Sequence, residues 1–198
     1  QLLYMIDLKK IPLWAYFIPY AFHLLATHNM TKKNRNEYNK QTLHDVIADN
    51  TPNLNKYSEY VNVVMILFWI PLVLSFSLAP FISVFKYVSI LFFIRSILVS
   101  STVLPSCKLE TCSDYNGIYK YIFGHCNDKI FSGHASLSIV LVYVMKRFAL
   151  INDSFYIFFV LLTILVSLAI VMVRWHYTVD VLLAYLITGG LLYIEPSL

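Results

Sequence analysis

The sequence predicts an all-α protein, a polytopic membrane helix bundle of six transmembrane helices. Three observations predict it. Hydrophobic residues make up 59% of the chain and charged residues only 13%, where soluble domains run near half and a quarter. The mean hydropathy is +0.65, more apolar surface than a soluble domain of this length can hide. The apolar residues are gathered into long runs separated by polar stretches, as bilayer-crossing segments are.

Taken in order, Gln1–Lys10 is a short amphipathic lead-in. Ile11–Ala26 is apolar, interrupted by Pro12 and Pro19, and only marginally long for a crossing; a tilted or partial first helix fits it best, and a re-entrant or interfacial segment is the alternative. Residues 27–60 mix Lys32, Lys33, Arg35, Lys40 and Lys56 with Glu37, Asp45, Asp49 and Glu59, the pattern of an extramembrane loop. Val61–Pro80 reads as a helix bent near Pro71, where the ring removes a backbone donor. Val84–Leu104 follows and carries Arg95 deep in an apolar run, so the guanidinium is expected to face the bundle interior or a polar cavity. Residues 105–133 form a second long loop, and His134–Phe148, Phe155–Val173 and Tyr177–Ile194 are the last three helices.

A chain of 198 residues holds one bundle and no second domain, so 1–198 is read as a single membrane domain with its core at about 61–194. The chain opens on Gln1 rather than Met, as a fragment or a processed form does, and no charged n-region with a cleavage site reads as a signal peptide. A net charge of +4 without a basic tract or nucleic-acid motif points to anionic lipid rather than nucleic acid. Cys107 and Cys112 bracket a short loop and suit either a bridge in an oxidising compartment or free thiols; with Cys126 they lack the ligand spacing of a zinc site.

The chemistry is concentrated in two stretches, 126–134 (Cys-Asn-Asp-Lys-Ile-Phe-Ser-Gly-His) and 174–181 (Arg-Trp-His-Tyr-Thr-Val-Asp-Val). Each puts a histidine at the head of an apolar segment, and one crossing out and one back returns His176 to the face that holds His134. Asp180 stands four residues after His176, on the same helical face. There it is placed to accept from one ring nitrogen and fix the tautomer, as the orienting acid of a catalytic triad does. That leaves the other nitrogen to attack phosphorus and His134 to act as general acid and base. Ser132 and Gly133 lie where the loop enters a helix, a place suited to a phosphate oxyanion. Arg95, Lys129 and Arg174 are the cations available to that phosphate, and Asp128 stands beside them. The chemistry needs no cofactor and no metal. A lone interfacial histidine is more often structural than catalytic; two in these contexts, with an intramembrane acid beside one, favour catalysis. His23, His28, His44 and His125 lack such context and read as loop or interface residues, His125 being nearest to Asp128. The many aromatic residues read as interfacial belts and packing, although rings of this kind also cage quaternary ammonium groups.

Phe131-Ser132-Gly133-His134 and His176-Tyr177-Thr178-Val179-Asp180-Val181 resemble the two catalytic motifs of the sphingomyelin synthase branch of the PAP2 lipid phosphatase/phosphotransferase superfamily. Cys126, Asp128, Ala184-Tyr185, Arg95, Thr102 and Leu104-Pro105 extend the resemblance over roughly 43–193, and Asp45 resembles the family's first loop motif weakly. Lys129 stands where the synthases carry an aromatic residue, and Asn127 where they carry glycine. The phosphatases of the superfamily place an arginine six positions before the nucleophile, here Ile170, and carry a Lys–Arg-Pro motif that this chain lacks. The resemblance therefore implies the synthase branch.

It also implies a phosphohistidine intermediate, a glycerophospholipid donor, ceramide as acceptor and an exoplasmic or luminal site in Golgi, endoplasmic reticulum or plasma membrane. Choline, ethanolamine and inositol headgroups all fit, and nothing in the sequence fixes an oligomeric state. The positive-inside rule points the other way on orientation: nine Lys and Arg (32, 33, 35, 40, 56, 108, 120, 129, 174) fall on the side of the histidines and five (9, 10, 86, 146, 147) on the other. The alternatives from other classes are a lipid phosphate phosphatase using water as acceptor, and a non-catalytic lipid-binding membrane protein.

Overall fold

The computed structural model describes residues 10–33, 43–102, 104 and 130–195, with the side chains of 27–33 left aside. The helices, numbered here in chain order, are α1 (Phe17–Lys33), α2 (Val46–Asp49), α3 (Ser58–Leu67), α4 (Ile70–Leu74), α5 (Leu78–Ser101), α6 (Gly133–Arg147), α7 (Asp153–Met172) and α8 (Thr178–Ile194). A 3-10 turn, Leu13–Tyr16, leads into α1 and another, Asn55–Tyr57, into α3. Among the described residues there is no strand.

Three helical stretches, Asn55–Leu74, Leu78–Ser101 and Asp153–Met172, are long and apolar enough to cross a membrane; Leu13–Ala26 and Thr178–Ile194 are apolar but shorter. The outward face of α7 shows why water is the wrong solvent for it. Ile157, Leu161, Leu165 and Leu168 form an exposed stripe, and no charge follows Asp153 within the helix.

The expected bend near Pro71 is present as a break. α3 stops at Leu67, Phe68 and Trp69 donate to carbonyls three residues back, and Pro71 opens α4. Other boundaries move from the sequence reading. The helix expected at Val61–Pro80 ends at Leu74, and the next starts at Leu78 rather than Val84. Pro80 thus sits in the first turn of α5, where its missing N–H costs nothing. α1 runs on to Lys33, through the first residues of the stretch expected to be a loop from residue 27.

α6 lies at the centre, packed on α5, α7 and α8, while α3 lies against α7 and α1 against α5. Leu91 of α5, Val140, Leu141, Val144 and Met145 of α6, Ile170 of α7 and Ala184 of α8 meet in the core with almost no exposure. α6 and α7 both end on a left-handed residue, Ala149 (φ 52°) and Arg174 (φ 60°). In each case the next N–H, from Leu150 or Trp175, reaches back five residues to Met145 or Ile170, closing a Schellman turn without glycine. The turn at Arg174 ends α7 abruptly and sets His176 at the head of α8.

Candidate active site

Three helix termini and one mid-helix arginine build the site. Ser132 is the N-cap of α6: it is fully buried and its Oγ accepts from the N–H of Ala135. The chain arrives there through Phe131, itself buried in a left-handed conformation (φ 73°), a turn that aims Gly133 and His134 inward. The N–H of Ser132 donates to the carbonyl of Asp180 at 3.2 Å, tying the head of α6 to the first turn of α8.

Tyr177 caps α8, and its N–H donates to Asp180 Oδ2 at 3.0 Å. The same oxygen faces His176 Nδ1 at 3.5 Å, with the histidine side chain 8% exposed and the aspartate not at all. Asp180 Oδ1 is also buried, without a hydrogen-bond partner among the described residues. A buried carboxylate so thinly satisfied is costly, and an imidazolium formed beside it relieves that cost. The 3.5 Å separation is long for a hydrogen bond, as catalytic pairs often are before substrate binds. Nδ1 is the ring nitrogen that faces the carboxylate.

His134 packs its ring on Trp175, centroids 5.1 Å apart, and its Nε2 lies 3.2 Å from Asn62 Oδ1 of α3. His176 and Arg95 both lie near it. Arg95 comes from α5 to the head of α6: a Cβ added to Gly133 would stand 3.0 Å from its Nη1. Gly133 therefore lets a guanidinium lie directly on the start of a helix, where an anion beside both would meet a cation and helix N–H groups together.

His134, His176, Asp180, Arg95, Ser132 and Gly133 thus share one end of the bundle. Arg174 is engaged elsewhere: its guanidinium donates to the carbonyls of Val171 at 3.4 Å and Thr51 at 3.1 Å. Asp128 and Lys129, with Cys107, Cys112, His125 and Cys126, lie outside the described residues. Asn62 and Trp175 escaped the sequence reading. A lone Asn in the first turns of an apolar helix is a weak signal, and Trp175 read as one more interfacial ring. His23, read as an interface residue, is buried between helices, with Nδ1 3.0 Å from Ser96 Oγ. His44 pairs with Asp49 at the surface.

A strap over 43–54 covers the turn between α7 and α8. The N–H of Leu54 donates to the Met172 carbonyl at 2.9 Å and that of Leu43 to Tyr177 Oη at 3.2 Å. Asp45 is its main anchor. Oδ1 accepts from the N–H groups of Ile47 (3.1 Å) and Ala48 (3.0 Å) and from Thr178 Oγ1 (2.7 Å), and Oδ2 accepts from the Thr178 N–H (2.5 Å). One carboxylate caps both α2 and α8. Burial alone raises the Asp45 carboxyl, and the hydrogen bonds from Thr178, Ala48 and Ile47 outweigh it, holding the group below its ordinary value. A depressed folded value means that this stabilisation is complete above the unfolded pKa, about 3.9, and is lost as pH falls through the folded one. Asp45→Ala is expected to cost about 2 kcal/mol at neutral pH. The gap in Tm between wild type and variant in detergent should hold from pH 7 to 5 and narrow below about pH 4; a gap that stays constant into stronger acid would show that the carboxylate charge plays no part.

Residues 125–197 match the family model described as PAP2 superfamily C-terminal. The matched stretch takes in both histidine motifs and α6 to α8, less than half of the chain, and it supports the PAP2 superfamily, with lipid phosphatase or phosphotransferase chemistry. No curated protein matches the chain.

Proposed function

We propose that this protein is a membrane lipid phosphotransferase that moves a phospho-alcohol headgroup from a glycerophospholipid to ceramide and releases diacylglycerol. The observation that carries the reading is the pair at the head of α8: a wholly buried Asp180 facing Nδ1 of His176, with His134 and Arg95 at the same end of the bundle. His176 Nε2 attacks phosphorus, the bond from phosphorus to the diacylglycerol oxygen breaks, and His134 gives that oxygen its proton. The primary hydroxyl of ceramide then loses its proton to His134 and attacks phosphorus, and the P–N bond breaks to free His176. Arg95 and the head of α6 hold the non-bridging oxygens, and Asn62 holds His134 between the two half-reactions. Six crossings, with the site on the exoplasmic or luminal face, complete the proposal. Lys129 and Asp128 stay in it as headgroup-binding residues, while Arg174 is reassigned to holding the strap.

The same histidines serve a lipid phosphate phosphatase, in which water takes the place of ceramide, and the family match fits both. Ile170, fully buried in the core, occupies the position where the phosphatases carry a phosphate-binding arginine, which favours the transferase. Vesicles containing labelled ceramide and a choline, ethanolamine or inositol glycerophospholipid, supplied with the purified protein, are expected to yield labelled phosphosphingolipid from at least one donor, undiminished in EDTA. Phosphate release from phosphatidic acid with no ceramide product would overturn the transferase in favour of the phosphatase. Loss of activity in EDTA, restored by a divalent ion, would overturn the metal-free mechanism.

A further inference from the structure

The strap has no role in the chemistry just described, yet it closes on two of the three residues that separate His176 from Asp180, Tyr177 and Thr178. Asp45 is buried, with about 8% of its surface exposed. Its carboxylate accepts four hydrogen bonds, two of them from Thr178, the first residue of α8. Leu43 is bonded to the neighbouring Tyr177, the residue whose N–H occupies Asp180 Oδ2. Thr51 accepts from Arg174, two residues before His176. The segment from 174 to 180 is therefore held on one side by α6, through the bond from Ser132 to the Asp180 carbonyl, and on the other by the strap.

We propose that Asp45 is a positioning residue for the His176–Asp180 pair: by gripping the backbone and hydroxyl of Thr178 it fixes the turn that carries both groups. The inference rests on the reading of His176 as nucleophile. Its physical basis is the geometry of the pair. The histidine lies before the helix and the aspartate within it, so the separation between Nδ1 and Oδ2 depends on the backbone of Tyr177 and Thr178. A turn free to rock by an ångström would move Nε2 off the line of attack at phosphorus, which costs rate rather than affinity. Asp45 itself touches no reacting atom. Its two oxygens act only as acceptors, which is why a carboxylate and not an amide suits the place: an asparagine in the same pose would turn an NH₂ group toward the N–H or hydroxyl of Thr178.

The test uses the full chain in lipid vesicles. Asp45→Ala and Asp45→Asn are each expected to lower kcat about 10- to 100-fold with KM changed less than about threefold. Thr178→Val, which removes only the hydroxyl bond, should lose less, and Thr178→Ser should restore the wild-type rate. Asp45→Ala combined with Thr178→Val should be no slower than Asp45→Ala alone, because both act through one contact. Hydrogen exchange of the amides at 176–181 should quicken in Asp45→Ala while those at 136–145 in α6 stay protected, a readout that does not depend on catalysis. Trapping of the phospho-alcohol group on His176 distinguishes the two possible failures. No adduct in the wild type would remove His176 as nucleophile and leave the positioning role to the exchange measurement alone. An adduct formed at the same rate in Asp45→Ala, or unchanged exchange at 176–181, would overturn the positioning role.

Discussion

His176→Ala is expected to abolish headgroup transfer, by at least about 10³-fold in kcat, while the protein still elutes as a folded species in detergent. The magnitude follows from what is removed. Without Nε2 no covalent intermediate forms, and the reaction must proceed by direct attack of one alcohol on an anionic phosphodiester. Asp180→Asn should approach the same loss by another route. An amide offers the ring its NH₂ as readily as its oxygen, so the tautomer is no longer fixed and the developing imidazolium loses its counter-charge. Asp180 is fully buried, and Asn preserves its volume, so the fold should survive. The decisive measurement is the phospho-alcohol group on His176 in single turnover: wild type labelled, His176→Ala unlabelled, Asp180→Asn labelled slowly. Transfer by His176→Ala at the wild-type rate would remove it as nucleophile.

Arg95→Met is expected to produce the second largest loss, about 10²- to 10³-fold, with most of it in kcat. Met keeps the length and the apolar stem within α5 and removes the fork that lies over Gly133. Two N–H groups aimed at one phosphoryl are worth most where water is excluded. Arg95→Lys should recover only part of the rate, because an ammonium cannot span two oxygens. Gly133→Ala makes the same point from the other side. Its methyl would meet Nη1 at 3.0 Å, and a guanidinium can swing away, so the expected result is a folded protein with a milder, about tenfold, loss. Full activity in Arg95→Met would take the guanidinium out of the site.

The helical class and the histidine pair were legible because both rest on short-range patterns. Apolar runs show in composition, and the two residues stand four apart in the chain; the structure pairs them not on one helical face but across the start of α8, with His176 before the helix and Asp180 in its first turn. The ends of the helices were less legible. Pro80 was read as a stop, yet a proline in the first turn of α5 is a start. Nothing local in the sequence reveals that Arg174 closes a left-handed turn and donates to the carbonyls of Val171 and Thr51. Asn62 meets His134 across 72 residues, and Asp45 meets Thr178 across 133. Such pairings belong to the folded bundle, and periodicity carries no trace of them.

Those separations also govern when the site comes into being. The strap is synthesised early, and the bonds that fasten it to Arg174, Tyr177 and Thr178 span 123 to 134 residues. As the chain emerges, Asp45 has only its local partners Ile47 and Ala48, and it gains Thr178 only when α8 is in place. A chain that stops short of residue 176 holds Arg95, Gly133 and His134 but lacks His176, Asp180 and the partners that Leu43 and Asp45 find in Tyr177 and Thr178. On the proposed reading of His176 as nucleophile, catalytic competence therefore arrives late, with the insertion of the last helix, and a half-made protein cannot form the phosphohistidine.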